Sequence, residues 1–86
     1  MTKIYIYCLF EGERFAGVYS SLKSVHRDAL KLCNRGTSPV YFVDEVRVEK
    51  PSLTRLRNFF RGHCDIKVDY RSDTHFVSIY KTKLKE

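Results

Sequence analysis

"KIYIYCLFEGERFAGVYS", residues 3 to 20, decides how the chain begins to fold. Its first half is dense in β-branched and aromatic residues, "EGER" supplies a turn glycine, and "FAGVYS" resumes the pattern, so a β-hairpin is predicted. Alternation places Ile4, Ile6, Cys8 and Phe10 on one face of the first strand and Tyr5, Tyr7 and Leu9 on the other. Neither face is plainly polar, as in a strand inside a sheet whose tyrosine face meets another layer.

The next segment, "SSLKSVHRDALKLCNRG", reads as a helix with Ser20 or Ser21 as its cap and Gly36 just past its end. Leu22, Val25, Ala29, Leu32 and Cys33 trace one stripe at helical spacing, and Lys23, Arg27 and Lys31 line the other side. The i,i+4 spacing of these cations sets like charges one turn apart, a repulsion of a few tenths of a kcal/mol per pair that a bound anion would offset.

Further along, Val40 to Val48 reads as one strand behind Pro39. Pro51 and Ser52 then open a second helix that stops at Gly62, with Leu53, Leu56 and Phe60 facing inward. "CDIKVDY" and "HFVSIYKTKL" alternate on either side of "RSD", which predicts a closing hairpin. The order is ββαβαββ, without repeat or linker, and residues 1–86 are expected to form one α+β domain. The expected architecture is a mainly antiparallel sheet of about five strands with both helices packed on one face; a curled, half-open barrel is the alternative.

Charge narrows the partner classes. Sixteen Lys and Arg oppose ten Asp and Glu, a formal +6, which favours nucleic acid, an acidic protein surface or anionic lipid. The excess is +3 in residues 1–43 and +3 in residues 44–86, so a basic patch has to be assembled by folding. Cys8, Cys33 and Cys64 have no CxxC or Cys/His ligand spacing, and a reducing cytoplasm fits them. Cys8 and Cys33 read as small core residues. Glu11, Glu13 and Arg14 interrupt the N-terminal apolar run too early for a signal peptide or a membrane span.

"TRLRNFFRGH", residues 54–63, carries Arg55, Arg57 and Arg61 with no carboxylate. Projected on a wheel, Phe60 belongs to the core, Phe59 to the border, and Arg57 and Arg61 stand one turn apart beside Asn58, a fork suited to phosphate. The same arginines could instead pair with Glu49 or Asp65. Lys67 and Arg71 would widen the patch if the fold brought them near. Tyr5, Tyr7, Tyr19, Tyr41, Tyr70 and Tyr80 all fall in or beside strands, where they either pack as cross-strand pairs or stack bases. The signature of an RNA-recognition sheet is absent.

His63 and His75 could form a two-histidine arrangement for metal-independent RNA cleavage, but both lie at element ends, where surface histidines are common. With Cys64 they give no closed set of metal ligands. His26 reads as a boundary residue of the first helix. The glycines are isolated, so no phosphate loop exists. No cofactor, metal site or catalytic group is expected.

The stretch "YIYCLFEGERFAGVYSSLKSVHRDALKL" resembles the opening of small early proteins of large tailed bacteriophages, in which a hairpin ending in a "GVYSS" or "GVFSS" turn leads into a helix. The likeness covers about a third of the chain and carries no functional residue. It implies a compact early protein, acting in the host cytoplasm by binding a host nuclease, polymerase, defence protein or nucleic acid.

The expectation is therefore a non-enzymatic binding protein that engages nucleic acid through Arg55, Arg57 and Arg61, with Lys23, Arg27 and Lys31 as a second patch and Lys67 and Arg71 as its extension. A regulator of an acidic host protein, contacting it through the tyrosine-bearing strands, is the alternative, and a ribonuclease using His63 and His75 the third reading. Dimerisation through an edge strand would follow if exposed strand aromatics drove self-association.

Overall fold

A computed structural model describes residues 4–33, 52–71 and 75–84 in full and the backbone of 41–43 and 46–48. Glu49, Gly36, Pro39, Pro51 and the Ser72–Asp73 part of the last turn, all invoked above, lie outside the described residues. The elements are β1 (Tyr5–Glu11), β2 (Arg14–Tyr19), α1 (Leu22–Cys33), β3 (Tyr41–Val43), β4 (Val46–Val48), α2 (Leu53–Phe60), β5 (Ile66–Arg71) and β6 (Phe76–Lys83). They form an α+β fold whose six strands run in the spatial order β2-β1-β6-β5-β3-β4, every described pairing antiparallel. The single strand expected over 40–48 is two: Tyr41 to Val43 folds back on Val46 to Val48. The mark of the break is the adjacent charged pair Asp44 and Glu45, across which the period-2 phase of Tyr41 and Val43 shifts to that of Val46 and Val48.

Local chemistry accounts for the turns and caps. Gly12, at φ +61°, supplies the first central position of the two-residue β1–β2 turn, where a Cβ would be strained, and the Glu11–Arg14 pair closes it with a 3.3 Å ion pair. Ser21, rather than Ser20, caps α1: its hydroxyl accepts from Ser24 N–H at 3.4 Å and its carbonyl from Val25 N–H at 3.2 Å. Ser52 caps α2 by accepting from Arg55 N–H at 3.1 Å.

The core lies between the helices and one face of the sheet. Val25, Ala29 and Cys33 of α1 and Leu56 and Phe60 of α2 pack on Leu9, Val68, Tyr70, Val77 and Ile79. Leu9, Ile79 and Val68 are aligned across β1, β6 and β5, and both helices cover that face. Tyr7 and Tyr19 share it, Tyr7 with its ring 5.9 Å from that of Phe60. The tyrosine face of β1 thus meets the helices, and its tyrosines are packing residues. Phe60 is 2% exposed, and Phe59 stands half-buried against it with ring centres 5.4 Å apart.

Two core groups depart from the sequence reading. His26 is buried, not a boundary residue, and its Nδ1 is hydrogen-bonded at 2.8 Å to the buried Tyr70 hydroxyl. A polar ring can occupy an apolar helix face because this partner satisfies it. Cys8 is half-buried on the opposite face of the sheet, away from the helices, because it is paired with Tyr80 and Val18 one residue out of phase with Leu9.

Candidate nucleic-acid interface

The helix layer gathers six of the eight cations expected at the site. Lys23, Arg27 and Lys31 on α1, and Arg55, Arg57 and Arg61 on and just beyond α2, are all exposed, with Lys31 at the seam where α1 meets Leu9, Ala16 and Tyr19 of the sheet. Their placement follows from amphipathicity: once the apolar stripes turn to the core, the remaining positions of each helix face solvent. Within residues 22–33 and 53–61 these six cations meet a single carboxylate, Asp28, a net +5 out of the chain's +6.

Asp28 is already engaged. It accepts from the Tyr19 hydroxyl at 2.6 Å and from Arg27 Nε at 3.2 Å. The Tyr19 bond is the main reason its carboxyl is held below the usual range, with Arg27 and Lys31 adding to the effect and partial burial opposing it. The same bond raises the Tyr19 phenol. Among the described residues, Lys23, Lys31, Arg55, Arg57 and Arg61 form no ion pair. Asp65, considered above as a mate for the α2 arginines, instead accepts from Thr82 at 2.7 Å and Tyr80 at 3.2 Å. Arg57 stands near enough to Tyr7 for its charge to work against the rise that burial causes in that phenol.

Lys67 and Arg71 do not join this patch. They alternate with the buried Val68 and Tyr70 on β5, so they point out of the opposite face of the sheet. The "IKVDYR" alternation sets both cations on the face opposite Val68 and Tyr70, but the sequence did not reveal which of the two faces the helices cover. Lys67 lies 3.9 Å from Asp69, which also accepts from Ser78 at 2.8 Å.

On that open face Lys67 and Tyr80, both singled out in the sequence, are joined by Phe10, Phe15 and Phe76, which were not. Phe10, Phe76, Ser78, Tyr80, Lys67 and the Gly12–Glu13 turn line a shallow groove of about 630 Å³. Beside it, Phe15 is 55% exposed and Phe76 39%. Phe15 reaches this face through a β-bulge: the register passes from Leu9↔Gly17 to Phe10↔Phe15, leaving Ala16 as an extra residue in β2. Without that residue, alternation would send Phe15 to the helix side.

His63 and His75 are not brought together. The main chain just after His63 joins β6 at Lys81, through Asp65 N–H to Lys81 O, whereas His75 precedes the other end of that strand. Most of a strand, on the order of 15–20 Å, separates them. No three His, Cys, Asp or Glu residues gather as metal ligands among the described residues. Nor is any helix among them long and apolar enough to cross a membrane.

Comparisons with protein-family models, with curated protein sequences and with solved structures return no match to this chain.

Proposed function

We propose that this chain is a non-enzymatic nucleic-acid-binding protein that grips phosphates with its helix layer. The observation that carries the reading is the charge of that layer: six exposed cations and one carboxylate already held by Tyr19 and Arg27. A surface of this kind repels itself until an anion arrives, so neutralisation by a polyphosphate offsets a cost built into the fold. Arg57 and Arg61, one turn apart, suit forked contacts with successive phosphate oxygens. In the setting implied by the bacteriophage likeness, the ligand would be nucleic acid in an infected cell.

The reading is tested by titrating a labelled DNA duplex with the protein at several salt concentrations. If about five phosphates are neutralised, log affinity falls with log salt at a slope of about −4.5. A flat response would turn the assignment toward an acidic protein partner.

A further inference from the structure

The open sheet face sets aromatic rings and cations in a regular relation. On β6, Phe76 and Tyr80 point outward from the uncovered face; their direct cross-strand neighbours on β5 are Arg71 and Lys67 respectively. Phe10 on β1 is paired with Ser78, midway between them. Tyr80, Phe10 and Phe76 therefore succeed one another at steps of roughly 7 Å along the strand direction. Phe15 extends the row sideways, its ring centre 5.6 Å from that of Phe10 in an edge-to-face contact.

We infer that this face is a stacking platform for the unpaired bases of single-stranded nucleic acid. Its ring spacing is about twice the 3.4 Å rise of stacked bases in a duplex, so an extended strand can place successive bases on successive rings and a duplex cannot. Lys67 and Arg71 flank the row on one side, where the sugar-phosphate chain would run. The Lys67–Asp69 contact is long and exposed, so phosphate can displace it with little loss. The bulge at Ala16 points the same way: it turns Phe15 out to solvent, where its ring adds nothing to the core but enlarges the platform. The inference concerns a different surface from the helix layer and does not depend on it.

Fluorescence anisotropy with a labelled oligodeoxythymidylate of about 12 nucleotides, and with the duplex of the same length, tests it. Phe76→Ser and Phe15→Ser alter exposed rings and are checked for folding by circular dichroism. Each should weaken single-strand binding roughly tenfold and duplex binding by less than about twofold. The inference is overturned if neither variant changes single-strand affinity, if both probes lose affinity equally, or if the wild type binds the duplex alone, which would leave the helix-layer reading standing. A wild type that binds single strands alone, with sensitivity to Phe76→Ser, supports the platform and removes the helix-layer reading. Binding to neither probe removes both. A concentration-dependent dimer that Phe76→Ser dissolves without changing single-strand affinity would assign the face to a second copy of the chain instead.

Discussion

The Lys81 ammonium donates to the main-chain carbonyl of Phe60 at 2.9 Å, and the two residues belong to different layers of the fold. Lys81 is on the helix-covered face of β6, buried, with its nitrogen 4.5 Å from the centre of the Tyr5 ring. Phe60 is the last residue of α2, at the negative end of the helix dipole, and its carbonyl also accepts from His63 N–H at 3.1 Å. One lysine therefore fastens the end of α2 to the sheet. Lys81→Met keeps the apolar stem but removes the donor, and is expected to cost about 1–2 kcal/mol in urea unfolding. A stability equal to that of the wild type would show that the carbonyl needs no cation.

The His26–Tyr70 bond ties α1 to β5 inside the core. Burial also pushes the Tyr70 phenol far above its ordinary range. Tyr70→Phe leaves the ring in place and deletes the bond, and a loss of about 1–3 kcal/mol in chemical denaturation is expected. An unchanged midpoint would mean that water replaces the hydroxyl at no cost.

Cys33 differs from the other thiols. Burial raises its pKa to about 11, with Glu11 adding to the effect, so that roughly one part in a thousand is thiolate at about pH 8. Cys8 and Cys64 are half-buried. A disulfide exchange reagent should therefore modify two thiols quickly in the native protein and the third, Cys33, on unfolding. Equal rates for all three would contradict the packing of α1.

Asp28 is held below the ordinary carboxylate range chiefly by the Tyr19 hydroxyl. A carboxyl whose folded pKa lies below its unfolded value adds stability above the unfolded value, near 3.9, and that contribution disappears as pH falls through the lower folded value. Tyr19→Phe should raise the Asp28 pKa in a carbon-detected NMR titration, and the stability gap between the two proteins should hold above about pH 5 and close as the pH falls below about 4 and through the lowered folded value. An unmoved Asp28 titration would show that Arg27, not Tyr19, governs the site.

Much of the fold was legible because period and punctuation agreed. Gly12, Ser52 and the stripe from Leu22 to Cys33 each announce a turn, a cap or a buried face by local chemistry alone, and the α+β class follows from their order. What stayed hidden depends on long-range pairing. The reversal after Val43 shows in the sequence only as a phase shift across the doublet Asp44 and Glu45, and the Ala16 bulge changes the face of Phe15 without leaving a mark in "RFAGVY". Lys81 reads as one more surface lysine in "YKTKL" until the end of α2 is placed over it. The cations divide the same way: those on helices could be assigned to solvent from their spacing, whereas Lys67 and Arg71 could be placed on the far face only once the helices had chosen a side.

Contact between helix-layer cations and phosphate can be read from the salt dependence of duplex binding for the wild type and for the triple variant Arg55→Gln, Arg57→Gln, Arg61→Gln. Three lost phosphate contacts should make the log–log slope shallower by about 2.7 and weaken binding similarly on unrelated sequences. A variant that keeps the wild-type slope and affinity would contradict that contact.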